Sequence, residues 1–447
     1  MLFTGQHFAI LGAARSGLGA ARLAARNGAK VTLIDEGNLA KFAHAMETAQ
    51  AEGLNILLGD DAKALTVNPG DFQLAILSPG FDVNWALPKK FSDAGTKLTG
   101  EMEFASTLTK MEMTAITGTN GKSTTTELLA AVFNGCGLRS IPCGNHGLAI
   151  SELLVDHGEV FDMLANEVSS FQLETIETFH PHISMWLNFA PDHLDRYPDE
   201  AAYFAAKRRI FMNQTVSDWA IVNALDVELL GSLKPLVLTF SAQPEHEDAT
   251  FAYRDGQFFH QGHVFGDASR IRLRGRHNME NVLAAIAAGW IKGLTFEKML
   301  AAVAAYEPPA HRCQLVREWH GIEFINDSKA TNLHALESCV RSLERPIVLI
   351  AGGKEKGLDY HPLRAAIPGK VQAMVLIGEI AGTLADAFGN LVPCQKAKDM
   401  AEAVTLAAAA AKAGDAVVLS PGTSSFDMYS GYAERGDKFR DAALALP

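Results

Sequence analysis

Residues 116–123 read "ITGTNGKS" and join a strand pattern, "MTAIT" at 113–117, to a helix pattern, "KSTTTELLAAVF" at 122–133. At such a turn, successive backbone N–H groups at a helix N-terminus form a site for anions. Lys122 adds a positive charge for outer phosphates, and the Ser123 hydroxyl can ligate magnesium. The stretch therefore predicts a nucleotide-phosphate loop in an α/β domain. An ordinary glycine-rich turn is the alternative, because Ile116 stands where the full phosphate-loop pattern has glycine.

Short apolar runs alternate with helical patterns on both sides of this loop, as in β-α-β units around parallel sheets. The runs before the loop are "HFAILG", "KVTLIDE" and "FQLAILSPG"; those after it are "VFDMLANE", "HISMWLNF" and "DWAIVNA", with a hairpin pattern at "ATFAYRDGQFFHQGHVFG". A third series, "IEFINDS", "PIVLIAGG", "VQAMVLIGE" and "DAVVLSPG", follows Pro308 and Pro309, which favour a stiff linker. A chain of 447 residues has the length of about three domains, so three α/β domains are expected.

Composition excludes several classes of protein. The chain is 48% hydrophobic and 20% charged, its formal net charge is -12, and no apolar run approaches the roughly 18 residues of a membrane span. Because a nucleic-acid or membrane surface needs clustered lysine and arginine, we expect neither partner. Five widely spaced cysteines without a C-x-x-C pair give no zinc or disulfide signal and indicate thiols in a cytoplasmic protein.

The first strand-to-helix turn, "GAARSG" at 12–17, is close to a dinucleotide-binding fingerprint. Ala14 replaces the second glycine of that pattern, the one that lets backbone approach a pyrophosphate. Asp35 ends the next strand pattern, where an acidic residue would accept a hydrogen bond from a ribose hydroxyl. Three interpretations remain open: a site for a uridine or other nucleotide, an NAD-dependent oxidoreductase or nucleotide sensor, and a tight turn with a surface aspartate.

Further chemistry follows the strands of the second series. Glu167 and His193 lie just past two strand patterns, where open α/β sheets bind ligands, and both could complete magnesium spheres. Each taken singly is typical of a capping or surface residue. Lys207, in "YFAAKRRIF", is by its pattern alone typical of a solvated helix face.

The loops "NDSKATN", "GGKEKG" and "SPGTSSFD" each follow a strand pattern of the third series. They bring Asp327, Lys329, Thr331, Lys356 and Ser425 toward one edge of a sheet. Basic and hydroxyl groups at such an edge suit a small anionic substrate. Ordinary turn chemistry is the alternative, since Asn, Asp, Ser and Gly favour turns in any case.

Taken together, these segments resemble the Mur ligase family. The stretches that carry the resemblance run through the chain in the family's order: "GTNGKSTTT", "GNHG", "EVSSFQLE", "DHLDRY", "AAKRRIF", "GRHN", "AHRCQ", "NDSKATN", "AGGKEKG" and "SPGTSSFDMYSGYAERGDKF". The resemblance implies a Rossmann-like domain at 1–108 for the UDP end of the substrate, a P-loop ATPase-like α/β domain at 109–308 for ATP, and a Rossmann-like α/β domain at 309–447 for the incoming amino acid.

The activity implied is ATP-dependent addition of D-glutamate to UDP-N-acetylmuramoyl-L-alanine in peptidoglycan synthesis, through an acyl phosphate, by a monomer that uses magnesium. The resemblance implies catalytic roles for Lys122, Lys207 and His193, with Lys207 carbamylated and Ser123, Glu167, His193 and Lys207 around magnesium. The ATP-binding residues implied are Gly118, Thr119, Asn120, Gly121, Lys122, Ser123, Thr124, Asn278, Arg312, Asp327 and Lys329. The UDP-substrate residues are Ser16, Asp35, Ser78, Asn145, Gln172 and His193, and the amino-acid residues are Thr331, Lys356, Ser425 and Phe426.

Three segments depart from the family's usual pattern. "PGTSS" stands where P-A-C-A-S is common, "AHRCQ" where P-H-R-x-E is common, and Ala190 where threonine is frequent. Because the first departure touches the amino-acid pocket, a related ligase that uses L-glutamate remains an alternative. Folylpolyglutamate synthase is another, although its pteridine substrate would not need a nucleotide-like N-terminal domain.

Overall fold

The structure is a computed structural model with three β-sheets in chain order, each flanked by helices. It describes residues 2–37, 42–193, 196–273, 275–307, 310–343, 345–355, 357 and 359–447. Lys356, predicted in the amino-acid pocket, and Pro308 and Pro309, predicted as the linker, lie outside these residues.

The first sheet has five parallel strands in the order β3-β2-β1-β4-β5. Its strands are β1 (His7–Leu11), β2 (Lys30–Asp35), β3 (Asn55–Leu58), β4 (Leu74–Leu77) and β5 (Lys97–Gly100). Its helices are α1 (Arg15–Arg26), α2 (Ala43–Glu52), α3 (Asp60–Ala64), α4 (Ala86–Asp93) and α5 (Glu101–Ser106). The order reverses at β1, so the turn that begins with Gly12 lies at the point where such sheets bind ligands.

The second sheet has nine strands in the order β14-β13-β12-β11-β10-β9-β6-β8-β7. Its strands are β6 (Glu112–Thr117), β7 (Ser140–Gly144), β8 (Met163–Glu167), β9 (Ile183–Trp186), β10 (Trp219–Asn223), β11 (Leu236–Ser241), β12 (Phe251–Arg254), β13 (Gln257–His260) and β14 (His263–Asp267). Its helices are α6 (Lys122–Gly135), α7 (Ile150–Asp156), α8 (Ser170–Glu174), α9 (Glu200–Arg208), α10 (Val227–Leu230), α11 (Arg276–Ile291) and α12 (Phe296–Ala305). The predicted hairpin is an antiparallel edge of three strands, β12 to β14.

The third sheet has six strands in the order β15-β16-β20-β17-β18-β19, and only its β15–β16 pair is antiparallel. Its strands are β15 (Gln314–Trp319), β16 (Ile322–Asn326), β17 (Ile347–Gly352), β18 (Val371–Ile377), β19 (Cys394–Lys396) and β20 (Ala416–Leu419). Its helices are α13 (Leu333–Ser342), α14 (Ala381–Phe388), α15 (Met400–Ala410) and α16 (Tyr432–Ala445).

Central strands are buried on both faces because helices cover both sides of each sheet. All residues of β8, β9, β17 and β20 are buried, which explains why these strands read as apolar runs rather than as alternating patterns. The described part of the chain contains no helix that is both long and apolar enough to cross a membrane.

The first two sheets share a hydrophobic core, which the sequence did not predict. One cluster of buried residues runs from Phe8 and Leu18 to Ile150 and Trp186. Buried Glu101, at the start of α5, also accepts a hydrogen bond from the backbone of Ser151 at 2.8 Å. The N-terminal unit is therefore packed firmly on the central one, while the domain limits at 108/109 and 308/309 remain a prediction.

Candidate active site

The glycine-rich turn lies between β6 and α6, and the loop after β9 holds it in place. The backbone N–H of Thr119 donates to the carbonyl of Asn188 at 3.0 Å, and the N–H of Asn120 donates to Asn188 Oδ1 at 2.8 Å. Gly121 has φ +83°, and a Cβ there would lie 2.6 Å from Asn281 Oδ1. The loop thus needs glycine at 121 both for its backbone conformation and for its contact with α11.

Two lysine side chains meet on one carbonyl of this loop. Lys122 is half-buried with its ammonium turned inward, and Nζ donates to the carbonyls of Gly118 and Thr119, each at 2.9 Å. Lys207 Nζ donates to the same Gly118 oxygen at 2.8 Å. Phosphate oxygens are the natural anionic acceptors for such converging donors.

Lys207 is 1% exposed, so the solvated helix face that its sequence pattern indicated is wrong. The side chain extends from the last turn of α9 over the face of the Tyr203 ring and reaches the glycine-rich turn. Burial and the neighbouring Lys122 charge lower the pKa of Lys207 well below its ordinary value. Burial likewise lowers the pKa of Lys122, because both ammonium groups lose water.

Glu167 ends β8 and is 2% exposed. Its Oε1 accepts from Asn145 Nδ2 at 2.7 Å, while Oε2 is buried without a hydrogen-bond partner. A buried carboxylate oxygen without a partner is costly, and a cation would remove that cost. Glu167 and Ser123 line the same cleft, and each offers an oxygen atom as a metal ligand, so the two residues are suited to bind magnesium.

His193 follows β9 in a left-handed conformation, with φ +55°. Its imidazole packs edge-on against Phe171 and Tyr203, with ring centroids 5.0 and 5.8 Å away. The ring is not among the groups that line the cleft of Glu167 and Ser123. Its predicted roles at magnesium and at the substrate therefore remain predictions.

A cleft of about 280 Å³ separates the loop from the third sheet. Arg312 bridges it, with Nη1 donating to Thr124 Oγ1 at 3.4 Å. Asp327 accepts from Ser420 Oγ at 2.9 Å, and burial raises the pKa of Asp327 to about 6. The predicted residues that line this cleft are Thr119, Asn120, Gly121, Lys122, Ser123, Thr124, Asn145, Glu167, Asn278, Arg312, Asp327 and Lys329.

A second cleft of about 350 Å³ adjoins the first and shares its loop residues Asn120 and Gly121. The polar side chains that line this second cleft were not predicted from the sequence, although two of them, Arg276 and His277, belong to the motif "GRHN" at the start of α11. These residues are Asn188, Asn223, Asp226, Gln243, Arg276, His277, Glu280, Asn281, Glu337, Ser338 and Arg341. Together the two clefts form one polar groove along the phosphate loop.

The predicted UDP-substrate residues do not share one cavity. Asp35 accepts from the backbone N–H groups of Ala13 and Gly37 at 2.9 and 2.8 Å, which ties two loops of the first sheet together. Ser78 and Gln172 line a small crevice between the first two sheets, and Ser78 Oγ is buried without a partner. Ser16 contributes its carbonyl to Ser151 Oγ at 3.4 Å.

The predicted amino-acid residues are also dispersed. Ser425 is 2% exposed, whereas Phe426 is 67% exposed. Thr331 lies at the end of the loop after β16. Arg435, fully buried on α16, donates to the carbonyls of Thr423 and Ser328 at 3.1 and 2.8 Å. The "ERGDKF" arginine therefore joins the loops after β16 and β20, a role that the sequence analysis did not assign.

Comparison with known proteins adds to this geometry. The Mur ligase middle domain matches residues 116–289, and the glutamate ligase domain of Mur ligases matches residues 311–422. A UDP-N-acetylmuramoylalanine--D-glutamate ligase of Geobacter metallireducens is 38% identical over 455 residues, covering 100% of this chain and 99% of that protein. The enzyme of the same name from Trichlorobacter lovleyi is also 38% identical and covers 98% of each chain.

Solved structures share the fold at lower identity. A MurF ligase from Thermotoga maritima, in complex with ADP, superposes with a TM-score of 0.59 at 14% identity over 99% of this chain and 95% of that one. The UDP-N-acetylmuramate-alanine ligase MurC of the same organism gives a TM-score of 0.58 at 17% identity over 98% and 99%. The two family matches and the similarity over the full length show that this chain belongs to the Mur ligase family of ATP-dependent, amide-forming ligases.

Proposed function

We propose that this chain adds D-glutamate to UDP-N-acetylmuramoyl-L-alanine in peptidoglycan precursor synthesis, with ATP converted to ADP and phosphate. The observation that carries the proposal is the convergence of Lys122 and Lys207 on the Gly118 carbonyl, in the central domain of a chain 38% identical to a ligase of that name. We assign residues 1–108 to the UDP end of the substrate, 109–308 to ATP and 309–447 to glutamate. The enzyme acts as a monomer in the cytoplasm.

Charge is the main obstacle to the first step, because a substrate carboxylate must approach a triphosphate. Lys122 and the loop N–H groups offset that repulsion by binding phosphate oxygens. Magnesium, when bound, neutralises further phosphate charge, and Glu167 and Ser123 are the residues that would hold it, with His193 and Lys207 beside them. Arg312 and Lys329 reach the cleft from the C-terminal side and bind the nucleotide there.

The chemistry proceeds in two steps. The carboxylate oxygen of the substrate attacks the γ-phosphorus of ATP and the bond to the β,γ-bridging oxygen breaks, which yields an acyl phosphate and ADP. The glutamate amine then attacks the acyl carbon, loses a proton and expels phosphate to form the amide. Water must be excluded from the acyl phosphate, so closure of the C-terminal domain over the cleft is expected.

Lys207 is proposed to act as a carbamate. Its lowered pKa increases the fraction of neutral, nucleophilic amine, and the nitrogen forms a bond to the carbon of CO₂ with loss of a proton. The product is an anion, which favours a metal ion beside the phosphates where an ammonium group would repel it.

An ADP-release assay tests the proposed function. Full-length protein is supplied with ATP, magnesium and UDP-N-acetylmuramoyl-L-alanine, together with D-glutamate, L-glutamate or no amino acid. ADP release that depends on D-glutamate is expected, and the Lys122→Ala variant should abolish it, whereas Lys110→Ala at an exposed position should not. Release with L-glutamate alone would reassign the amino acid, and no release in any reaction would overturn the proposal.

A further inference from the structure

Three metal-ligating side chains from separate parts of the chain meet beside the ATP cleft, and a fourth, His277, approaches one of them. Cys313 precedes β15, Asp327 follows β16 and Cys339 lies on α13, all in the C-terminal unit; His277 lies on α11 of the central unit. One ligand atom each from Cys313, Asp327 and Cys339 lies within 4.8 Å of the other two. The Cys313 sulfur is also 3.7 Å from Nε2 of His277.

Two distances among these atoms match those of a tetrahedral zinc site. Bonds of about 2.3 Å to sulfur and 2.0–2.1 Å to nitrogen, at tetrahedral angles, hold two sulfurs about 3.8 Å apart and a sulfur and a nitrogen about 3.6 Å apart. The Cys313 and Cys339 sulfurs are 3.9 Å apart, and the sulfur-to-imidazole distance is 3.7 Å. A disulfide would instead require the two sulfurs to approach to about 2.05 Å.

The surroundings favour a ligand at this point. Cys339 and Asp327 are 2% and 7% exposed, so an ion bound between them would be shielded from water. Cys313 is held in a left-handed conformation, φ +42°, with its N–H donating to Asp327 Oδ1 at 3.2 Å. The Asp327 carboxylate and the thiols of Cys313 and Cys339 therefore lie within 4.8 Å of one another.

We propose that Cys313, Cys339, His277 and Asp327 form a binding site for a soft divalent cation, Zn²⁺, at the wall of the ATP cleft. Two sulfur donors and an imidazole select zinc over magnesium, which prefers oxygen ligands. The site is separate from the magnesium position at Glu167 and Ser123, since it uses none of those oxygens.

Zinc at this site links the central and C-terminal units. His277 belongs to one unit and the two cysteines to the other, so a bound ion resists their relative movement. The bound ion also takes the Asp327 carboxylate as a ligand, and we assign Asp327 to nucleotide binding. Zinc therefore inhibits ligation, and ATP relieves the inhibition; this consequence rests on the proposed function, whereas binding of the ion does not.

Metal binding is tested directly on the full-length, reduced protein. Zn²⁺ is titrated against a chromophoric chelator, and Co²⁺ serves as an optical probe because cobalt bound to thiolate absorbs through ligand-to-metal charge transfer. One ion per chain and a thiolate–cobalt band are expected. The variants Cys313→Ser and His277→Ala each weaken binding at least about 100-fold, beyond the roughly 10–100-fold cost of losing only an outer-shell partner. Cys394→Ser, a half-buried thiol on β19, is the matched control and keeps full affinity.

Three results would overturn the site: no stoichiometric ion, equal affinity in Cys313→Ser and Cys394→Ser, or a cobalt spectrum without a thiolate band. Circular dichroism establishes that each variant folds, and His277→Ala provides a second test if either cysteine variant does not. Inhibition is then measured relative to each variant's own metal-free rate of ADP release. Stoichiometric zinc without inhibition would refute the regulatory role, and an inactive protein that still binds zinc would refute the proposed function alone.

Discussion

Replacing Lys207 with methionine separates catalysis from stability. Methionine keeps a flexible apolar stem in the buried channel but removes the amine and its hydrogen bond to the Gly118 carbonyl, worth about 0.5–1.5 kcal/mol. The Gly118 carbonyl oxygen still accepts a hydrogen bond from Lys122 Nζ at 2.9 Å, so the substitution leaves no buried acceptor without a partner. Removal of a buried amine beside a second lysine offsets part of the loss. The free energy of unfolding should therefore change by less than about 1.5 kcal/mol, and Tm by less than roughly 6 °C.

Activity should change far more than stability. Removing a preorganised group beside developing phosphate charge typically costs about 10²–10³ in kcat, so ADP release by Lys207→Met should fall by at least that factor. Lys292→Met is the matched control. The ion pair of Lys292 with Glu112, at 2.7 Å, is partly exposed and worth about 0–1 kcal/mol, and Lys292 lies just after the C-terminal end of α11. Turnover by Lys207→Met within roughly tenfold of wild type would refute the role of the amine.

Acetate distinguishes the carbamate from a simple ammonium. Lys207→Ala leaves a cavity next to the loop, and acetate bound there replaces the carbamate carboxylate and partly restores ADP release. Lys207→Met fills the same space and should not respond. Equal rescue of both variants, or of neither, would contradict the carbamate proposal.

Further predictions test the metal oxygen, the loop geometry and the buried charge. Glu167→Gln removes the partnerless anionic oxygen, so ADP release should fall about 100-fold and require more magnesium while circular dichroism is unchanged. Gly144 has φ +91°, and Gly144→Ala would place a Cβ 2.1 Å from Asn166 Oδ1, so the free energy of unfolding should fall by about 2–5 kcal/mol in denaturant titrations. Gly137 has a similar φ of +95° but open space around it, so Gly137→Ala should lower the free energy of unfolding by only about 1–2 kcal/mol. Burial raises the pKa of Glu280 to about 6, above its ordinary 4.5, so the folded state holds this proton longer. Wild type should therefore lose about 2 kcal/mol relative to Glu280→Gln as the pH rises from well below 4.5 to well above 6.

Each of these has a clear contrary outcome. Unchanged magnesium dependence in Glu167→Gln would exclude that carboxylate as a metal ligand. Equal unfolding energies for Gly144→Ala and Gly137→Ala would mean that the loop relaxes away from the added methyl group. Parallel pH profiles for wild type and Glu280→Gln would show that this carboxyl is ionised in the folded state at pH 5.

Local sequence was sufficient where function depends on a short, contiguous segment. The stretch from Gly118 to Ser123 predicted a glycine turn between a strand and a helix, and the structure has this turn between β6 and α6. The pattern around Lys207 misled, since "KRRIF" is typical of a charged surface. Only the packing of α9 against the glycine-rich turn buries that amine, beside Tyr203 of the same helix.

The proximity of Cys313 and Cys339 depends on contacts between segments that are distant in sequence, so the sequence did not predict it. The absence of a C-x-x-C pair argued against zinc, yet Cys313 and Cys339 approach within 3.9 Å because α13 packs beside the loop before β15. The ligand set is invisible to spacing rules that assume neighbouring ligands.

The sequence by itself determined the three α/β units, the glycine turn between β6 and α6 and the family, because hydrophobic periodicity and motif order are local or additive along the chain. The tertiary structure alone decided the lowered pKa of Lys207, the partnerless oxygen of Glu167, the shared core of the first two sheets and the thiol cluster beside the cleft of Glu167 and Ser123. Desolvation and charge coupling act between residues that are distant in sequence, so these properties exist only once the chain has folded.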